Sequence, residues 1–199
     1  MKRSPLTHER IFRDQAFAEN YVRRHRKMVE RFGYEYAGKL SSRGFKNGRI
    51  IDVGCGCGGT DMVIAHDFPD CEIVGIDLSE PLVCLANQAA QAANLEKRMI
   101  FLMGDVHRIP FDDASFQVVL NINMVHLVEH PIQMLNEMER VLAPDGLLFI
   151  ADLRRSWLGF MENEIKSSLT VHEAEDLIGC SQLRNGAFYS SLLWWRFEA

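Results

Sequence analysis

Four carboxylates, two histidines and a run of glycines carry the chemistry that can be read from this chain. Residues Arg49 to Gly59 run Arg-Ile-Ile-Asp-Val-Gly-Cys-Gly-Cys-Gly-Gly. A short apolar stretch meets an acid, Asp52, and breaks at once into Gly54, Gly56, Gly58 and Gly59. That pattern reads as a buried strand entering a tight turn whose bare backbone a ligand can approach. Such a turn at the tip of a parallel strand cradles adenosine-bearing cofactors. Asp77 ends the stretch Ile73-Val-Gly-Ile-Asp, at a distance past the glycines where a carboxylate accepts ribose hydroxyls. Asp105 follows Gly104 and precedes Val106, at a strand end where a carboxylate can meet an adenine amino group. Asp152 closes a later apolar run and can orient a substrate or cap a turn. His126 and His130, in Asn121-Ile-Asn-Met-Val-His-Leu-Val-Glu-His, are the candidate proton acceptors. Either is equally readable as an ordinary helix or loop residue.

The glycines leave two cofactor classes open. Gly54, Gly56 and Gly59 satisfy the dinucleotide fingerprint, in which a pyrophosphate sits on a helix N-terminus. Asp52 stands two residues before the first glycine, poorly placed beside a pyrophosphate and well placed beside a cation. S-adenosylmethionine carries an ammonium and a sulfonium, so an acid there suits it. A capping role for Asp52 on the turn amides is the plainer alternative. Asp77 can likewise cap the helix that follows, although Ser79 is better placed to do so.

These residues need elements to hold them, and the hydrophobic pattern supplies a set. Apolar, β-branched runs at 50–53, 71–76, 99–103, 116–122 and 147–151 read as strands. Helix-like stretches at 60–68, 81–94 and 131–142 lie between them. Ser79 ahead of Pro81, and Pro131 in a first turn, mark two helix starts. Strand–helix alternation of this kind makes a parallel sheet covered on both faces. Residues from about Thr7 to Ser42 read as helical, with a second helix from Met28 to Leu40. Thr170-Val-His-Glu opens a short helix with a capping box, running to about Cys180. The aromatic tail, Arg184 to Glu198, reads as one or two closing strands with Trp194 and Trp195 on opposite buried faces.

Composition excludes several classes. With 199 residues, 47% hydrophobic and 25% charged, the chain suits one globular body with a sizeable core. Residues 1–47 are expected to form an N-terminal helical cap and residues 48–199 the cofactor-binding domain. The net charge of −5 argues against a nucleic-acid partner. The basic cluster Arg23-Arg-His-Arg-Lys27 reads as a solvated helix face. No apolar stretch is long enough for a membrane span, and no secretory signal is visible, so a cytoplasmic location is expected. The five cysteines (Cys55, Cys57, Cys71, Cys84, Cys180) contain no Cys-x-x-Cys pair, which argues against a zinc site and for reduced, buried thiols. No metal is expected.

Taken in series, the glycine turn, the Asp77 strand, the Gly104–Ser115 segment and Arg140-Val-Leu-Ala-Pro-Asp-Gly resemble the class I S-adenosylmethionine-dependent methyltransferases. The likeness runs from about Arg49 to Asp152. It is nearest in flavour to small-molecule enzymes such as the ubiquinone and menaquinone C-methyltransferases. Gln117, Ala143 and Asp145 depart from their pattern, and their Tyr-Asp-x-Met-Asn signature is missing. The resemblance implies a Rossmann-like α/β fold: a seven-stranded, mostly parallel sheet with helices on both faces and the last strand antiparallel. It also implies a cofactor across the carboxyl ends of strands one, two and four. Carried over by position, Gly54, Cys55 and Gly56 approach the methionine moiety, with Asp52 nearby. Asp77 and Leu78 hold the ribose, while Gly104, Asp105 and Val106 meet the adenine. Asn121 faces the reacting methyl, and Tyr21 closes over the cofactor.

Methyl transfer from a sulfonium is an in-line displacement, so alignment and exclusion of water dominate the catalysis. A base is needed only where the acceptor must lose a proton, and His126 is the candidate. In the family this resembles, the segment from Leu153 to Leu169 often builds a lid over the acceptor. Trp157, Phe160 and Met161 can line an apolar pocket there or equally pack on the sheet edge, and Arg154 and Arg155 can attract an anionic small-molecule acceptor. S-adenosyl-L-homocysteine would be the product. Two other classes stay open: a non-catalytic cofactor-binding partner subunit, and an NAD-dependent oxidoreductase. Asp52 and the lack of a Tyr-x-x-x-Lys pair argue against the second. The sequence is silent on oligomeric state.

Overall fold

A computed structural model describes residues 13–155 and 163–199. The expected lid residues Trp157, Phe160 and Met161, and the expected helix start at Thr7, lie outside the described residues. In chain order the strands are β1 (Gly48–Val53), β2 (Cys71–Asp77), β3 (Met99–Met103), β4 (Phe116–Ile122), β5 (Leu142–Leu153), β6 (Ala187–Ser190) and β7 (Trp194–Glu198). The helices are α1 (Gln15–Ser42), α2 (Gly59–Asp67), α3 (Glu80–Ala92), α4 (Pro131–Val141), α5 (Asn163–Ser167) and α6 (Val171–Cys180). The strands form one seven-stranded sheet in the order β3-β2-β1-β4-β5-β7-β6. This is the Rossmann-like architecture that the resemblance implied, and its parallel part is what the alternating pattern led one to expect. Among the described residues, no helix is long and apolar enough to cross a membrane.

The chain divides into two compact units that part after Val106. In the first, β1, β2 and β3 pair in parallel, with Ile50 opposite Ile73, Asp52 opposite Gly75 and Gly75 opposite Phe101. The inner strand residues Ile50, Ile51, Ile73 and Ile76 are fully buried, as the near-continuous apolar runs require. α1 is one helix of 28 residues, where the sequence suggested two. Nothing near Met28 breaks it: no proline or cap intervenes, and Phe32, Tyr36 and Leu40 continue one buried face. Gly33 allows α1 to sit close to α2, because a Cβ there would lie 2.5 Å from the Cβ of Val63. Arg98 closes the far end of α2, donating to the carbonyls of Ala65, Phe68 and Cys71. The carbonyls of Ala65 and Phe68 belong to the C-terminal end of α2, where a cation suits them, and that of Cys71 opens β2.

In the second unit β4 and β5 are parallel, and β7 runs antiparallel to both β5 and β6. Between Phe116 and Val118 the β4–β5 register shifts, so the Ala143–Gly146 turn sits inside the β5 range. Arg184 clamps that turn, donating to the carbonyls of Ala143 and Pro144 while bound to Glu139. Arg140 ties the Ile109–Asp113 loop to α4 through two carbonyls and the carboxylates of Asp113 and Glu137. The capping box at Thr170 forms as expected: its hydroxyl accepts from Glu173 N–H, and Glu173 accepts from Thr170 N–H.

Several expectations are corrected. Trp195 is fully buried and stacked on Phe188 at 5.8 Å, but Trp194 is only half-buried. It lies at the end of the outer antiparallel pairing, where less covers it. Cys84 and Cys180 are exposed, and only Cys55 and Cys71 are buried. Arg155 is buried against the carboxylate of Glu173, and Arg154 donates to the carbonyl of Ser191. Both guanidinium groups therefore have structural partners. The basic cluster on α1 is largely exposed, with Arg26 paired to Glu30, as a solvated face should be.

Candidate active site

In the first unit the glycine turn is built by backbone bonds from strand to strand. Ile76 carbonyl accepts from both Gly54 and Cys55 N–H, at 2.8 and 3.1 Å. Gly54, Gly56 and Gly58 have positive φ values of 85°, 54° and 68°, a region closed to most side chains. Among the described residues the space beside Gly56 is open, since an added Cβ would meet none of their atoms within 4 Å. Gly75 is needed for a different reason. A Cβ there would lie 2.4 Å from Phe101 Cδ1 and 2.7 Å from Cys55 Sγ.

Asp77 fastens the turn to the tip of β2. Its Oδ2 accepts from Gly56 N–H at 2.9 Å and its Oδ1 from Ser79 N–H at 2.8 Å. The turn-amide contact that the sequence offered to Asp52 is thus made by Asp77, while the α3 cap falls to Ser79, which accepts from Leu82 N–H. Each carboxylate oxygen has a second lone pair, so ribose acceptance is still chemically open to Asp77. Burial pushes its carboxyl up from the ordinary range, and the amides of Ser79, Gly56 and Leu78 oppose that.

Asp52 is buried on β1. Burial pushes its carboxyl up to about 7; a hydrogen bond with Asp61 opposes the rise and the charge of Asp77 adds to it. Asp61, in the first turn of α2, is wholly buried. Its carboxyl is driven well above the ordinary range by burial and then by Asp52. Sequence reasoning missed Asp61. The signal was present: Asp61, Ile64 and Ala65 fall at i, i+3 and i+4, which puts the acid on the buried face of α2.

The remaining expected cofactor residues of this unit are placed as follows. Gly104 N–H donates to the Asp77 carbonyl, so the β3 end is held to the β2 tip. Asp105 is exposed, Val106 is buried, and Leu78 is 72% exposed. Met103, paired with Asp77 in the sheet and 64% exposed, is a second apolar group at these tips that sequence reasoning did not single out. Tyr21 lies half-buried on α1, its ring 4.1 Å from that of His25. Cys55 is buried beside Gly75, and burial followed by Asp77 raises its thiol well above the ordinary value. The residues of this turn fit a cationic group. Apart from each other, the buried Oδ1 of Asp52 and both carboxylate oxygens of Asp61 reach no hydrogen-bond donor among the described residues, and uncompensated buried acids call for positive charge.

In the second unit Asn121, next to last in β4, is fully buried, its Nδ2 3.8 Å from Met134 Sδ. Asn123 follows with a positive φ of 57° and delivers the chain to the single turn Val125–Leu127. His126 on that turn is gripped by Asp152 of β5. Its Nδ1 lies 2.6 Å from Asp152 Oδ1, and its backbone N–H donates to Oδ2 at 2.7 Å. Leu153 N–H also donates to Oδ1, at 2.6 Å. An ionised carboxylate only accepts, so Nδ1 carries the proton and Nε2 is the basic nitrogen. Both side chains are shut off from solvent. His130 stands at the start of α4 with its ring against His107.

A family model described as a methyltransferase domain matches residues 45–189. Among curated relatives, the phthiotriol/phenolphthiotriol dimycocerosates methyltransferase of Mycobacterium leprae is 38% identical over 54% of this chain and 38% of its own length. The sterol 24-C-methyltransferase of Schizosaccharomyces pombe is 28% identical over 82% of this chain and 39% of its own length. The chain thus spans about two fifths of these relatives. A solved structure from Methanococcus maripaludis, assigned as an S-adenosyl-L-methionine-dependent methyltransferase, superposes with a TM-score of 0.78 at 19% identity. It covers 99% of this chain and 96% of its own, a likeness of fold.

Proposed function

Because the chain belongs to the methyltransferase domain family, we propose that it moves a methyl group from S-adenosylmethionine to a small-molecule acceptor. The observation that carries this reading is the glycine turn with buried acids about it and an open approach at Gly56. A pyrophosphate would be repelled by Asp52 and Asp61, whereas a sulfonium or ammonium would be drawn to them. The bound cofactor would supply an electrophilic methyl on positively charged sulfur.

The protein's own residues would do the rest. Gly54, Cys55 and Gly56 would hold the methionine moiety, with Asp52 offsetting its charge. Asp77 would accept the ribose hydroxyls, with Leu78 beside them. Gly104, Asp105 and Val106 would meet the adenine, and Met103 would give it an apolar wall. Asn121 would face the methyl, and Tyr21, in a cap formed by residues 1–47, would close over the site. His126, with its tautomer set by Asp152, would take a proton from acceptors that must lose one. The sterol in a relative's name points to a lipid-like acceptor. All five cysteines are free, which supports a cytoplasmic setting.

Calorimetric titration with S-adenosyl-L-homocysteine and with NAD tests the cofactor. Binding of the first and not the second is expected, and the reverse would overturn the reading. Replacing Asp77 by Ala should weaken S-adenosyl-L-homocysteine binding by about 1.5–3 kcal/mol, the scale of a hydrogen bond to a charged group. A metabolite extract supplied with methyl-labelled cofactor would reveal the acceptor as a labelled product.

A further inference from the structure

Asp61 has no part in the turn's backbone bonding, yet its place on the inner face of α2 buries a carboxylate where an apolar residue would ordinarily stand. First-turn acids normally face water near the helix N-terminus. Here the side chain is fully enclosed, and among the described residues neither oxygen reaches a hydrogen-bond donor other than the neighbouring acid Asp52. Asp52, the other enclosed acid of the glycine turn with an unsatisfied oxygen, is its side-chain hydrogen-bond and charge partner. Two ionised carboxylates would face each other with acceptors only, so a single proton held between them satisfies both.

The surroundings supply no counter-charge to replace that proton. The charged group that acts on the pair from β2 is Asp77, and the turn contributes the thiols of Cys55 and Cys57. α1 meets α2 through Val29 and Gly33, α3 reaches the turn with Ala86, and β3 reaches it with Phe101. Every ionisable neighbour named here is an acid or a thiol. A cation entering the turn is therefore the natural substitute for the shared proton.

We propose that Asp61 and Asp52 form a proton-sharing carboxyl pair that exchanges its proton for the positive charge of the cofactor. Asp61 is then a positioning residue that acts through Asp52 and makes cofactor uptake release a proton. This rests on the S-adenosylmethionine reading given above. It also separates substrate from product, since S-adenosylmethionine carries one more positive charge, on sulfur, than S-adenosyl-L-homocysteine.

The test is calorimetry of the whole protein at pH 7 in buffers of different ionisation enthalpy, which counts protons released on binding. S-adenosylmethionine should release at least about half a proton more than S-adenosyl-L-homocysteine, and its affinity should fall about tenfold from pH 8 to pH 6. The ammonium of the ligand is common to both compounds and cancels in the comparison. Asp61→Asn, whose amide can donate to Asp52, should keep binding at pH 8, release no extra proton and lose the tenfold dependence. Equal proton release by the two ligands in the unaltered protein would overturn the pair, as would an unchanged pH profile in Asp61→Asn. The first comparison needs no variant and stands even where Asp61→Asn fails to fold. Failure of both ligands to bind at any pH would instead overturn the cofactor reading, and the pair with it.

Discussion

Gly75 offers a quantitative check on how the glycine turn is supported. It is central in β2, opposite Asp52 of β1 and Phe101 of β3. A methyl group there would sit 2.4 Å from Phe101 Cδ1, 2.7 Å from Cys55 Sγ and 2.8 Å from Cys55 Cβ. Relief would require movement of roughly 1 Å, to reach ordinary carbon contact distances. Neither neighbour is free to yield. Asn87 bonds both the N–H and the carbonyl of Phe101, and Cys55 N–H is held by Ile76. Gly75→Ala should therefore destabilise the protein by about 1–3 kcal/mol, the usual cost of overpacking. For a chain of this size that lowers Tm by roughly 2–12 °C. Urea unfolding measures the loss, and titration with S-adenosyl-L-homocysteine should show weakened binding as Cys55 is displaced. Adding Phe101→Leu should relieve part of the strain, giving a coupling of about 0.5–3 kcal/mol between the two changes. A loss under about 0.5 kcal/mol for Gly75→Ala, or strictly additive costs in the double variant, would refute the reasoning.

The buried acids also give the ligand-free protein an unusual pH response. Asp52 is raised from 3.8 to about 7 on folding, so the folded state binds more protons than the unfolded state between those values. Stability conferred by the protonated form is then present at low pH and lost as pH rises through about 7. Unfolding free energy should be about 1.4 kcal/mol greater at pH 6 than at pH 8, one tenfold step in proton binding. A flat profile, or one that falls toward pH 6, would contradict it. Arg140→Ala should cost about 1–3 kcal/mol, because the guanidinium satisfies two loop carbonyls and two carboxylates while remaining part-exposed. Chemical denaturation measures it, and hydrogen exchange should rise in the Ile109–Asp113 loop; no change in either would count against the clamp.

Most of the fold was legible because strand and helix periods differ and each alternates with clear punctuation. The apolar runs located the five parallel strands, Ser79 and Thr170 located two helix starts, and glycines located the tight turn after β1. These are local signals, set by residues a few positions apart. The continuity of α1 and the partial exposure of Trp194 were not legible, because each depends on what packs alongside. The same division holds for the chemistry. Asp52, Asp77 and His126 could be named from type and spacing, since strand tips and turns are local features. Their states could not. That Asp77 holds the turn amides, that Asp152 sets the tautomer of His126, and that Asp61 faces Asp52 each depends on elements brought together from separate parts of the chain. Burial then decides the rest, because only the folded interior removes the water that would leave these acids as ordinary carboxylates.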